Sequence, residues 1–168
     1  AACSQYRHGD KHMRILVTGA AGFIGSHLCL RLLEDGADVL CVDNFFTGTK
    51  DNIVDLLDNP HFELMRHDVT FPLYVEVDEI YNLAGQSVVR HSFLQPLHTS
   101  QVNAMGTLYI LEAIRTVNPN VRFYQASSSE MYGNTKKTPQ NENTMFYPRS
   151  PYGVAKLYAH WITINYRE

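Results

Sequence analysis

Apolar residues recur along the chain with two alternating periods. Arg14-Ile15-Leu16-Val17-Thr18 is a short, β-branched run ended by glycine and predicts a buried strand. Helical spacing follows from Phe23 to Asp35, with Ile24, Leu28, Leu32 and Leu33 on one stripe and Gly36 as the stop. A second strand is expected over Asp38–Asp43. A loop over Asn44–Lys50 turns at Thr47-Gly48, and a short helix covers Asp51–Leu57 before Pro60. Strands are expected at His61–Arg66, Glu79–Ala84 and Val121–Ser127. A long helix over Thr99–Asn118 turns Leu108, Leu111 and Ile114 inward, and a last helix starts near Pro151.

Strands alternating with helices predict an α/β fold with a doubly wound parallel sheet. Right-handed crossovers and a glycine loop after the first strand give the order 3-2-1-4-5. The connection from Val69 to Asp78 is too short for a full helix, so one sheet face should be thinly covered there. Residues 1–12 carry no periodicity. They read as a leader or cloning remnant ending at His12-Met13, with a native extension as the alternative, and residues 13–168 as one domain.

Composition narrows the functional classes. The chain has 168 residues, 45% hydrophobic and 18% charged, with a formal net charge of −3. A chain of this length buries roughly 70% of its unfolded surface. Scattered Lys and Arg in an acidic chain argue against nucleic acid as a partner. No apolar run reaches the ~20 residues that span a bilayer. Cys3, Cys29 and Cys41 have no metal-ligand spacing and read as reduced thiols of a cytoplasmic protein.

The chemistry concentrates in two motifs. Gly19, Gly22 and Gly25 stand at G-x-x-G-x-x-G spacing between a strand and a helix. Gly19 permits a tight turn, Gly22 lets backbone approach a pyrophosphate, and Gly25 lets helix and strand pack closely. Phe23 and Ile24 open the helix, whose N-terminus offers free N–H groups. Asp43 ends the second strand, with Asn44 next to it. Its carboxylate is placed to accept ribose hydroxyls and to repel a 2′-phosphate, favouring NAD over NADP. A loop-capping aspartate is the alternative. Asp68 and Val69 follow the third strand, where adenine would lie, although a plain turn carboxylate fits Asp68 almost as well. The second motif is Tyr152-Gly153-Val154-Ala155-Lys156. Its i and i+4 residues share a helix face, and an ammonium beside a phenol favours the phenolate needed for proton transfer. Ser127-Ser128-Ser129-Glu130 precedes it at the carboxyl end of a strand, supplying a hydroxyl and a second acid/base, or merely a helix cap.

Together with Asn82-Leu83-Ala84, these motifs resemble the extended short-chain dehydrogenase/reductases that act on nucleotide sugars. The resemblance covers Met13–Glu168. Arg14 to Asp78 is similar to the UDP-glucuronate decarboxylase branch, and Tyr81 onward to the GDP-mannose 4,6-dehydratase branch. A chimera joined between Asp78 and Gln86 is one explanation and a divergent natural enzyme the other. The resemblance implies a catalytic triad of Ser128, Tyr152 and Lys156, with Glu130 deprotonating the sugar beside a 4-keto group. It implies cofactor contacts from Leu83, Ala84 and Lys156, a GDP- or UDP-linked sugar as substrate, and a homodimer through the helices Thr99–Asn118 and Tyr152–Tyr166. The family also continues into a substrate domain beyond Glu168, so little or no turnover is expected of these residues alone. Gly85 stands where the dehydratases usually have alanine, which implies a looser backbone contact near the nicotinamide.

Overall fold

The computed structural model describes residues 12–168. Cys3 and nearly all of the proposed leader lie outside the described residues. In chain order the elements are β1 (Arg14–Thr18), α1 (Phe23–Glu34), β2 (Asp38–Asp43), β3 (Phe62–Arg66), β4 (Glu79–Asn82), α2 (Val89–Leu94), α3 (Pro96–Ser100), α4 (Gly106–Val117), β5 (Arg122–Gln125) and α5 (Pro151–Arg167). All strand pairs are parallel, in the expected order β3-β2-β1-β4-β5.

Strand alternation sorts the core into two layers. Ile15 and Val17 of β1 face one side with Val39 and Cys41 of β2, and meet Cys29 of α1 and Ile53. Leu16, Leu40 and Val42 face the other, with Ile80 and Ile110. Since both faces of β1 are covered, it reads as an unbroken apolar run rather than an alternating one. Residues 69–78 contain no helix. Val69, buried in a turn, and buried Val77, with Leu73 and Val75, cover the second layer without a helix.

Several expectations need correction. Ile24 is 67% exposed, while the buried side of α1 is Gly25, Ser26 and Cys29. Because Gly25 has no Cβ, the first turn of α1 presses against Gly19 and Ala20, which swings Ile24 outward. The helix expected over Asp51–Leu57 is a 3₁₀ turn, Lys50–Leu56, capped by Thr49 Oγ1 accepting from Asp51 N at 3.3 Å. The helix expected from Thr99 begins at Pro96 and passes through a π-helical turn, Gln101–Met105, into α4. There Leu111 is buried together with Ile110, and Leu108 and Ile114 are half-buried. β4 and β5 are shorter than expected, ending at Asn82 and Gln125, where side chains replace the ladder. α2 carries no periodic signal and was not anticipated.

Candidate functional site

A cleft of about 410 Å³ opens at the carboxyl ends of β1, β2 and β4. Such a crevice is where open parallel sheets bind ligands. Gly19, Gly22, Phe23, Ile24, Gly25, Asp43, Asn44, Val69, Leu83 and Ala84 all line it. Asp68 does not line it. Its carboxylate braces a turn instead, accepting from Asn44 Nδ2 at 2.9 Å and from Thr70 N and Oγ1. These donors hold the Asp68 carboxyl below the usual range against the opposing effect of burial, which is the largest single influence.

The glycine loop is pinned from both sides. Ala21 N donates to Asp43 Oδ2 at 2.9 Å, and Ala21 O accepts from Asn52 Nδ2 at 2.8 Å and Thr49 N at 3.2 Å. Asp43 Oδ1 accepts from Phe45 N at 2.8 Å. The capping role and the ribose-binding role of Asp43 are therefore compatible, because each carboxylate oxygen keeps a second lone pair. Gly19 takes φ +68° and faces Ala84 so closely that a Cβ would lie 2.8 Å from Ala84 N. A Cβ on Gly22 would meet Gly19 O at 3.1 Å, and one on Gly25 would collide with it outright. Gly19 and Gly25 leave no room for a side chain in this cradle, which fits a pyrophosphate. Gln86, another lining residue, has a buried Oε1 with no partner among the described residues, an acceptor that a bound ligand's donor would satisfy.

The Tyr-Lys pair abuts the cleft rather than lining it. Tyr152 and Lys156 are both buried near the start of α5, which Ser150 caps through Gly153 N at 3.0 Å. Lys156 Nζ lies 5.9 Å from the Tyr152 ring centroid and donates to Ala126 O at 3.1 Å, and Ala126 does line the cleft. Burial pulls the Lys156 ammonium down to about 8. Gly85 brings Lys156 and Asn103 close together. An added Cβ there would stand 3.0 Å from Asn103 Oδ1 and 3.6 Å from Lys156 Nζ, so this glycine marks a tight approach where a looser contact was expected. Ser128 Oγ accepts from Glu130 N at 3.2 Å and caps the short 3₁₀ turn Ser129–Met131. The Glu130 side chain is exposed and lines a separate open groove with Arg149 and Gln140.

Sequence reasoning missed a buried polar line behind the site. Thr18 Oγ1 donates to Asn82 Oδ1 at 2.6 Å and accepts from Ala84 N at 3.1 Å. Asn82 Nδ2 donates to Gln125 Oε1 at 2.8 Å, and Gln125 Nε2 donates to Ala126 O at 3.1 Å. Asn103, in the π-helical turn, bonds both Gln86 N and Gln86 O. The available signal was Asn103 and Thr107 standing within an otherwise apolar helical stripe.

Residues 16–168 match the family described as GDP-mannose 4,6 dehydratase, in one match that runs through residues 78–86. A GDP-mannose 4,6-dehydratase of Yersinia enterocolitica is 46% identical over 92% of this chain, which covers 46% of that protein. UDP-glucuronic acid decarboxylase 1 of Arabidopsis thaliana is 43% identical over 94% of this chain, covering 37% of it. The chain thus spans less than half the length of these curated relatives. Among solved structures, UDP-glucuronic acid 4-epimerase from Bacillus cereus, in complex with UDP-glucuronic acid and NAD, superposes with a TM-score of 0.80. It is 35% identical, over 92% of this chain and 52% of that one.

Proposed function

Because the chain belongs to the GDP-mannose 4,6 dehydratase family, we propose that it is the NAD-binding part of a nucleotide-sugar 4,6-dehydratase. The observation that carries this reading is the glycine cradle joined to a buried Tyr-Lys pair through Ala126 at one end of the sheet. Gly19, Gly22 and Gly25 would hold the pyrophosphate, and Asp43 the adenosine ribose. Asn44 and Val69 would lie on the adenine side, with Leu83, Ala84 and Lys156 toward the nicotinamide ribose. NAD, when bound, supplies the acceptor for the hydride at the hexose C4. Tyr152, as the phenolate that the Lys156 ammonium favours, would take the proton of the C4 hydroxyl, and Ser128 would hydrogen-bond the reacting oxygen. Glu130 would take the proton at C5 and pass it to the departing C6 hydroxyl, so that water leaves across C5–C6, after which the hydride would return to C6 and a proton to C5. A UDP-glucuronate decarboxylase is the second reading, supported by the similar identity to the Arabidopsis thaliana decarboxylase. It shares the first oxidation and then loses the C6 carboxylate as carbon dioxide.

Titration of the chain with NAD and NADP, followed through Trp161 fluorescence, tests the cofactor. NAD is expected to bind several-fold tighter, and Asp43→Ala to relax that preference while weakening NAD binding about tenfold, since it removes two loop bonds as well as the ribose acceptor. Equal affinities in the parent would overturn the assignment. GDP-mannose and UDP-glucuronate, offered separately to the NAD-loaded protein, then distinguish the two readings by which one the protein binds.

The same reading includes a homodimer through α4 and α5. On α5, Ala155 and Ala159 are buried against the fold, while Val154, Tyr158 and Trp161 are 56%, 40% and 54% exposed on one stripe. Tyr166 OH donates to Glu112 Oε1, and Arg115 completes the link at 2.8 Å from Glu112 Oε2, fastening α5 to α4. Both partners hold the Glu112 carboxyl down at about 2. Aromatic residues on a self-complementary face suit a C₂ contact. Sedimentation equilibrium should give a dimer, and Trp161→Glu should shift it to monomer without a loss of helical signal. A monomeric parent would exclude this contact.

A further inference from the structure

Two aromatic side chains from opposite walls of the cleft touch across it. Phe46 lies in the loop after β2, and His98 in α3, 52 positions further along. Their ring centroids are 5.4 Å apart at 48°. Both residues line the cleft, and Phe46 remains 70% exposed. Each wall is held firmly. On the Phe46 side, Phe46 N donates to Asn44 Oδ1 at 2.9 Å, and Asn44 Nδ2 is tied to Asp68. Phe45 takes φ +60°, a conformation a bulky residue adopts only when the surroundings impose it. That residue packs into the first core layer, and the Lys50 ammonium lies 5.9 Å from its ring centroid. The loop therefore turns Phe45 inward and leaves Phe46 over the cleft. On the other side, Thr99, next to His98, is fully buried and donates to Gln95 O at 2.9 Å, which fixes the turn that carries the imidazole.

Resting on the NAD-binding reading above, we propose that Phe46 and His98 form a clasp over the cleft, which parts to admit the dinucleotide and closes on it. The clasp sets the residence time of the cofactor rather than its recognition, because neither ring is needed to read phosphate or ribose. An aromatic pair of this kind contributes enough beyond burial to change a dissociation rate about five- to tenfold.

Stopped-flow displacement of bound NAD tests this on the chain as it stands. Phe46→Ala and His98→Ala should each raise the off-rate and the on-rate alike, about five- to tenfold, and leave the affinity within about twofold, because a contact that must part for entry and for exit slows both. The double variant should be no faster than the faster single, because both remove one contact. His98→Phe should restore slow release by keeping the ring. A merely structural role would lower the melting temperature and leave His98→Phe as fast as His98→Ala. Unchanged off-rates, or additive effects, in a parent that binds NAD overturn the clasp alone. A parent that binds no NAD overturns the cofactor reading and the clasp with it.

Discussion

Replacing Gly25 with alanine is expected to abolish measurable dinucleotide binding, with an affinity loss of at least about 100-fold. A Cβ at this position would lie 2.2 Å from Gly19 O and 2.6 Å from Ala20 Cα. Both are backbone atoms of the cradle, so no side-chain rotation relieves the clash. The start of α1 must back away from β1, and the N–H groups that converge on the cleft then diverge. Overpacking of this kind costs about 1–3 kcal/mol or more, so a fall of several degrees in melting temperature should accompany it. Two controls separate the cradle from a general glycine effect. Gly22→Ala meets Gly19 O only at 3.1 Å and should weaken binding less. Gly36, at φ +84° with nothing within 4 Å of an added Cβ, lies after α1 and away from the cleft. Alanine there strains only the local backbone, by about 1 kcal/mol, and should leave NAD affinity unchanged. Gly25→Ala binding within threefold of the parent would show that the cradle is not the phosphate site.

The same glycines show why the sheet and the cleft were legible in the sequence. Parallel strands buried on both faces must be apolar throughout, and Ile15-Leu16-Val17 and Val39-Leu40-Cys41-Val42 have no other stable placement. The glycine spacing then locates the ligand end of that sheet. Ile24 misled because helical periodicity assumes a side chain at every position, and Gly25 breaks that assumption by letting the helix roll toward β1. Glu130 and Ser128 are adjacent in sequence to the site, yet the 3₁₀ turn between them sends the carboxylate into a different groove. The polar line from Thr18 through Asn82 and Gln125 to Ala126 was not legible. Its members come from three strands, and only the register β1–β4–β5 brings them together. Buried polar groups of this kind must be satisfied jointly, so their pairing is a property of the assembled sheet. α2 escaped for a related reason. Ser92 is its buried residue, while Phe93 and Leu94 are 60% and 74% exposed, so it has no amphipathic stripe to read.

Lysine 156 carries the largest expected effect on stability. The residue is 6% exposed, and its ammonium has one hydrogen-bond acceptor in Ala126 O and is pulled from 10.5 to about 8 by burial. Below pH 8 the folded and unfolded chains both hold this proton, so the burial penalty is fully present. Between about pH 8 and 10.5 the unfolded chain holds a proton that the folded chain has shed, and this residue's contribution to stability rises with pH. The interval corresponds to about 3 kcal/mol. Cys29 and Cys41 act in the opposite sense. Burial pushes the Cys29 thiol up to about 12 and the Cys41 thiol higher still, so above pH 9 the unfolded chain ionises thiols that the folded chain keeps protonated, and stability falls. The lysine is therefore isolated by comparing the parent with Lys156→Met, in which the thiol contributions cancel. Urea denaturation should find the methionine variant more stable at pH 7, by up to about 3 kcal/mol, since an apolar chain of similar length replaces a buried charge. That advantage should shrink steadily from pH 8 and vanish near 10.5. A gap that stays constant from pH 7 to 10.5 would mean that Lys156 titrates normally. The folded chain would then hold it as a cation throughout that range.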